Sequence, residues 1–422
     1  MILVDFLVKN CSQLLTLYGE APRRGAALSD LGIIEKGWIG SRQGKIVFVG
    51  DEALFREKAK LTEEAVEIDA TGKIVTPGFV DSHTHLPFAG DRSEEFKMKL
   101  DGISYLELQR KGMGIKATVK ATREIPLQDL VSVCQKRLDE MVRGGATTIE
   151  AKSGYGLDEA GELKQLEALK VLKEIHPVDI VSTYMGGHDV PPGEKKEEYL
   201  DALISHHIPL VASLKRARFF DAFLEEGIFT PEEIRRMLEA ARNSGFELKL
   251  HADEFTDQGG AALAASLGCV SAEHLLKISD SGITALAASS TVAVVLPGVY
   301  FFLRTRSSAP VRKMIDSGVA VALGTDFNPG SSMIHRMLFA LRLGVFLSEF
   351  RMEEAIAAST INGACAIGVQ DSVGSLAPGK KMDLLVFDVP HYRELFYSPS
   401  LDPLEMVVKE GEILLKNGEL LY

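Results

Sequence analysis

Between residues 73 and 370 the chain alternates two patterns of apolar positions. One is a short run of β-branched and apolar residues, as in Lys73-Ile-Val-Thr-Pro-Gly-Phe-Val and Thr291-Val-Ala-Val-Val-Leu-Pro. The other is longer, with apolar side chains recurring every three or four positions, as over Leu127–Arg143 and Glu159–Ile175. Strands buried on both faces read as continuous apolar runs, and amphipathic stretches between them read as covering helices. The alternation therefore predicts repeated βα units and a parallel sheet. Eight strands are predicted, at 74–83, 147–153, 179–187, 218–224, 247–253, 271–276, 291–297 and 319–325. Further helices are predicted at 194–214, 231–244 and 258–267, and after the last strand at 352–367. Eight such units over roughly 300 residues give an α/β fold, a TIM-like (β/α)8 barrel with insertions.

The flanks carry a different pattern. Residues 1–72 and 374–422 hold short strands and turns, such as Gly44-Lys-Ile-Val-Phe-Val-Gly50 and Asp383-Leu-Leu-Val-Phe-Asp388. Neither flank is long enough to bury a core alone. They are expected to combine as one small β-sandwich domain built from both chain ends, beside a catalytic barrel domain at 73–373. One stretch, 281–304, carries no charge before Arg304 and has the length of a membrane span. Ser289-Ser290-Thr291 and Pro297-Gly298 divide it, so it reads as a helix end, a strand and a loop of the barrel.

Composition narrows the partners. A net charge of −12 argues against nucleic acid and anionic membrane, and means that an anionic substrate needs a local positive group. Four cysteines without paired spacing suit a reducing cytosol. The start, Met-Ile-Leu-Val-Asp5, meets an acid at once and has no basic region, so no signal peptide is expected and the protein reads as cytoplasmic.

In barrels of this kind functional side chains gather at the carboxyl ends of the strands. His83 and His85 end the first predicted strand, two positions apart and so on the same side of it. His188 ends the third, His251 the fifth, His274 the sixth and Asp326 the eighth. His83, His85, His251 and Asp326 make a set of N and O ligands for one divalent metal ion with a position left for water. Imidazoles with a carboxylate suit Zn2+ and Fe alike. Glu254, three residues past His251, is the candidate general acid/base. Asp253, the neighbouring acid, is given a structural role. His274 reads as a hydrogen-bonding partner of a developing oxyanion rather than another ligand. Of the remaining histidines, His206 and His207 are adjacent in a helix, His176 precedes a proline in a loop, His391 lies in the C-terminal flank and His335 reads as surface.

These motifs resemble the amidohydrolase superfamily and, within it, the imidazolonepropionase family of histidine degradation. The resemblance spans nearly the whole chain. It is carried by Pro77-Gly-Phe-Val-Asp-Ser-His-Thr-His-Leu-Pro-Phe-Ala-Gly-Asp-Arg92, Ile149-Glu-Ala-Lys-Ser-Gly-Tyr-Gly-Leu-Asp158, Thr183-Tyr-Met-Gly-Gly-His188, Leu248-Lys-Leu-His-Ala-Asp-Glu-Phe255 and Thr325-Asp-Phe-Asn-Pro-Gly-Ser-Ser332. It implies that His83, His85, His251 and Asp326 bind Zn or Fe. It also implies that Arg92, Tyr155, His188, Glu254, Asn328, Gly330 and Ser331 contact substrate or product, with Tyr105 assisting Arg92. The implied reaction opens the ring of 4-imidazolone-5-propanoate with water, in a homodimer. A deaminase of the cytosine type would use the same metal, Glu254 and His274; Arg92 separates the two readings, because a neutral base needs no carboxylate clamp. A non-enzymatic relative built for assembly would be expected to lack ligands. The chain departs from the family at Gly112-Met-Gly114, where three successive glycines are usual, at Phe220–Glu226, which lacks a cysteine, and at the looser run after Arg304.

Overall fold

A computed structural model of the protein describes residues 1–103, 113–305 and 308–422. Eight strands form one sheet: β1 (Phe79–Asp81), β2 (Ala146–Lys152), β3 (Asp179–Gly187), β4 (Phe219–Leu224), β5 (Glu247–Ala252), β6 (Ser271–His274), β7 (Val292–Val295) and β8 (Val321–Leu323). Each pairs in parallel with its neighbour in sequence. The ring is brought to closure at its rim. Asp326 N donates to His83 O, and His85 N donates to Phe327 O, each at 3.0 Å. The residues following β8 thereby lie against those following β1. Thr84 ties the same segment to β2, its Oγ1 donating to Glu150 O at 2.7 Å.

The covering helices start where local chemistry favours it. Asp158 caps Glu159–Ile175 by accepting from Gly161 N, and Thr230 with Glu233 forms a reciprocal capping box ahead of Pro231–Asn243. The helix expected at 194–214 is three pieces, Lys196–Ala202, a π turn over Leu203–His207, and Ile208–Leu214. Pro209 lacks the N–H that a regular turn would use there. The run at 352–367 divides likewise into Met352–Ala358 and Ile361–Ala366. Residues Pro297–Leu303, expected as a loop, are helical. Among the described residues no helix is long and apolar enough to cross a membrane.

The strand expected at 74–83 is divided between two sheets. Ile74–Pro77 pairs with Leu384–Phe387 and with Ile2–Leu15, in the sheet made by the chain ends; only Phe79–Asp81 joins the barrel. The crossing falls at Gly78, where a Cβ would stand 2.2 Å from Thr147 Oγ1, so a larger residue would not pass. The terminal sheet has nine strands and interleaves both ends of the chain, its apolar face gathering Phe6, Val8, Leu14, Ile39, Val75, Leu384, Val386 and Met406. The architecture is the TIM-like barrel with a small β-sandwich.

Asp81, at the end of β1, fastens the closure from below. Its carboxylate accepts from Thr325 N at 3.0 Å and from Thr325 Oγ1 at 2.6 Å, fully buried. Asp81→Ala is expected to lower the unfolding free energy by about 2–3 kcal/mol, because two buried donors lose a shared acceptor. Urea denaturation checks this, and an unshifted midpoint would contradict it.

Candidate metal centre and active site

The contacts that close the barrel also bring the metal-ligand candidates together. His83 Nε2 lies 3.2 Å from Asp326 Oδ1, and His85 Nε2 lies 3.6 Å from the same oxygen. His251, inward-facing on β5, sets its Nε2 3.4 Å from His85 Nε2. Ligand atoms around a tetrahedral ion with bonds of ~2.0–2.1 Å stand roughly 3.3 Å apart. Three of the separations are of that size; His83, His85 and His251 form one ligand group and His83, His274 and Asp326 another, with His83 common to both. All four ligand candidates are buried.

Electrostatics favours a cation at this point. Burial drives the pKa of His83 and His85 well below the ordinary imidazole range and that of His251 to about 3, so each ring is neutral and offers a lone pair. Burial pushes the Asp326 carboxyl up to about 8, against hydrogen bonds that stabilise its anion. His83 Nε2 and Asp326 Oδ1 are buried with no hydrogen-bond partner. Acceptors left unsatisfied in a buried place are costly, and converging ones more so. A divalent cation fits this donor set.

Glu254 and His274 stand beside the cluster. Glu254 is buried, and burial, together with the Asp326 and Glu225 carboxylates, raises its pKa well above the usual range. His274 Nδ1 lies 3.5 Å from Glu254 Oε1, and its ring is 5.1 Å from that of His251. His274 also comes within ligating distance of His83 and Asp326. Four non-glycine residues here have φ near +50° to +75°: Asp253, His274, Leu275 and Asp326. Such strain persists only where surroundings impose it. For Asp253 the support is visible, since its carboxylate accepts from Gly260 N and Ala261 N at 2.9 Å each. Its structural assignment stands on those bonds.

The residues implied as substrate contacts surround the cluster. His188 stacks on His85 with ring centroids 5.3 Å apart, and Nδ1 lies 2.9 Å from Gly154 O. Tyr155 sits 5.4 Å from His188 and 5.7 Å from His85, ring to ring. Asn328 organises its own turn: Oδ1 accepts from Gly330 N and Ser331 N, while Nδ2 donates to Asp326 O. Ser331 Oγ donates to Asp326 Oδ2 at 3.2 Å. Arg92 is held in a fork by Glu95, with Nε 2.9 Å from Oε2, and Lys99 reaches the same carboxylate at 2.8 Å. Against burial, hydrogen bonds from Arg92 and Lys99 hold Glu95 at about 2, so it stays ionised. A Cβ at Gly330 would meet Arg92 Nη1 at 2.7 Å, so glycine allows the guanidinium to lie on this turn. Tyr105 and Gly112 lie outside the described residues. His335 is half-buried, 4.2 Å from the Phe327 ring, rather than at the surface.

Sequence reasoning missed the barrel interior. Glu150, Lys152, Asp221, Lys249 and Glu273 are all fully buried beneath the cluster. Against burial, Lys152 and Lys249 hold Glu273 ionised, while burial and the neighbouring Glu273 push Asp221 up to about 7. The available signal was charge at alternate positions of otherwise apolar strands, as in Glu150-Ala-Lys152 and Lys249-Leu-His251, where a parallel strand is normally apolar.

The shifted carboxyl gives a signed expectation. Metal-free protein keeps Asp326 protonated up to about pH 8, and ligation needs the anion. Zinc loading at pH 7 should therefore release one proton more from the native protein than from Asp326→Asn, and Asp326 should make apparent affinity climb with pH up to about 8. Calorimetric titration in buffers of different ionisation enthalpy counts that proton. No release at pH 7, or full release from Asp326→Asn, would contradict the expectation.

The amidohydrolase family pattern matches residues 74–414. Imidazolonepropionase from Geobacillus kaustophilus is 47% identical over 418 residues, which is 98% of each chain. Among solved structures, a 5-methylcytosine deaminase from Klebsiella pneumoniae aligns over 99% of each chain with a TM-score of 0.73 and 17% identity. An adenosine deaminase from Xanthomonas campestris, solved with bound zinc, covers 100% of this chain and 95% of its own, with a TM-score of 0.70 and 17% identity. These two share the fold. On the match across most of its length, the chain belongs to the amidohydrolase family.

Proposed function

We propose that the chain hydrolyses 4-imidazolone-5-propanoate to N-formimidoyl-L-glutamate, using one divalent ion, Zn2+ or Fe, held by His83, His85, His251 and Asp326. The observation that carries this reading is near-complete alignment at 47% identity with a curated imidazolonepropionase. An arginine lying on the Gly330 turn that follows Asp326 supports it, because the substrate carries a carboxylate. When bound, the ion acidifies water toward a pKa of ~7 and polarises a carbonyl oxygen.

The side chains then divide the work. Arg92, pre-oriented by Glu95, clamps the propanoate by charge-assisted hydrogen bonds. This meets the need of an anionic substrate on a chain of net charge −12. Tyr155 and His188 border the ring against the His85 side of the site, and the Asn328–Ser331 turn, with Gly330, shapes its floor; Tyr105 assists Arg92. Glu254 takes a proton from water as the oxygen adds to the ring carbonyl carbon. It delivers that proton to the ring nitrogen as the carbon–nitrogen bond breaks. A nearby cation favours the ionised Glu254 that the first step requires. His274 donates to the oxygen on which negative charge develops. The same reading makes the protein a cytoplasmic homodimer acting on a small anionic substrate, and sedimentation velocity tests the dimer.

Loss of imidazolonepropanoate in a metal-reconstituted assay tests the roles separately. Glu254→Gln should lower kcat by about 10²–10⁴-fold with little change in KM. Arg92→Ala should raise KM by roughly 30–100-fold, the loss of about 2–3 kcal/mol from charged hydrogen bonds. An unchanged KM in Arg92→Ala would overturn the substrate assignment, and turnover of cytosine by the native protein would favour the deaminase reading.

A further inference from the structure

The five buried ionisable groups beneath the cluster have an order that packing alone does not explain. Burying ions in a barrel core is unfavourable compared with apolar side chains of similar volume, so stability gives no reason for them. Lys152 Nζ lies 2.7 Å from Asp221 Oδ2 and 3.1 Å from Glu273 Oε2. Those same two oxygens face the far sides of ligand imidazoles. Asp221 Oδ2 is 3.0 Å from His251 Nδ1, and Glu273 Oε2 is 3.3 Å from both His83 Nδ1 and His251 Nδ1. Each oxygen is thus gripped by one ammonium on one side and turned to a ligand ring on the other. Both lysines also pair with Glu150, Lys152 at 2.9 Å and Lys249 at 2.8 Å, and Lys249 reaches Glu273 through Oε1 at 3.0 Å; only Lys152 touches Asp221 and the Glu273 oxygen that faces the ligand rings.

We propose that Lys152 is a positioning residue of the metal centre. Two carboxylates brought to one point repel, and an ammonium between them removes that repulsion. So held, they face His83 Nδ1 and His251 Nδ1, which have no hydrogen-bond partner in the structure, and a proton on each Nδ1 leaves its Nε2 lone pair free for the cation. The inference rests on the metal assignment and is independent of the substrate.

The test uses metal-reconstituted full-length protein and needs no substrate. Lys152→Met keeps the length of the side chain and removes its charge. It should bind zinc roughly 10–100-fold more weakly in chelator competition, and its cobalt-substituted form should show shifted visible bands, since those bands report ligand geometry. Lys249→Met removes an equal charge from the same layer and should leave the cobalt spectrum closer to that of the native protein. Native zinc affinity and an unaltered cobalt spectrum in Lys152→Met would overturn the proposal. So would equal losses in both variants with an unaltered spectrum, which is what a merely structural lysine gives. If circular dichroism shows Lys152→Met unfolded, Glu273→Gln decides by the same two readouts: weakened zinc with altered bands supports the proposal, and native values overturn it.

Discussion

Closure of the barrel at its rim is the constraint from which the site follows. The last strand meets the first through His83 O, His85 N, Asp326 N and Phe327 O. Residues that complete the sheet are thus the residues that bear, or adjoin, the proposed metal ligands. A parallel ring of this size fixes its strands through many backbone bonds, so side chains projecting from the joint inherit its rigidity. His251 arrives from β5 across the interior, which makes the cluster a point of agreement among three separate strands. No loop of independent flexibility is required to assemble it.

Charge is the second organising element, and it is layered. Neutral imidazoles line the upper layer because burial drives their protons off. Beneath them lies an ionic layer in which two lysines are interleaved with three carboxylates. Above and to the side, Arg92, Lys99 and Glu95 make a further array with one positive charge in excess. A site so divided can hold a cation at its centre and an anionic tail at its margin, on a protein whose total charge is strongly negative.

Much of this was legible in the sequence. The alternation of apolar runs with amphipathic stretches located all eight barrel strands, because burial on both faces leaves a strand no polar side to mask its signal. His83 and His85 lie just past the end of β1 rather than within it, yet both turn Nε2 toward Asp326 Oδ1, as their interval suggested. Other features were hidden for physical reasons. The apolar run at 74–83 is continuous, yet Gly78 turns it from one sheet into another, and a lone glycine in a strand does not say which. Pro209 marked a break that the amphipathic pattern across 194–214 concealed. Lys152 and Lys249 contradict the expectation that parallel strands are apolar, and such a conflict points to a site only once geometry shows which carboxylates they meet. Asn328, implied as a substrate contact, has its amide committed to its own turn, a local bond pattern that residue type does not reveal.

The central claim is that four side chains from three strand ends meet on a single cation. Anomalous diffraction from crystals of the zinc-loaded protein, recorded on both sides of the zinc edge, addresses it most directly. The account predicts one strong peak bonded to His83, His85, His251 and Asp326 at ~2.0–2.2 Å. A peak bounded instead by Asp221 and Glu273, or zinc found only at the protein surface, would contradict it.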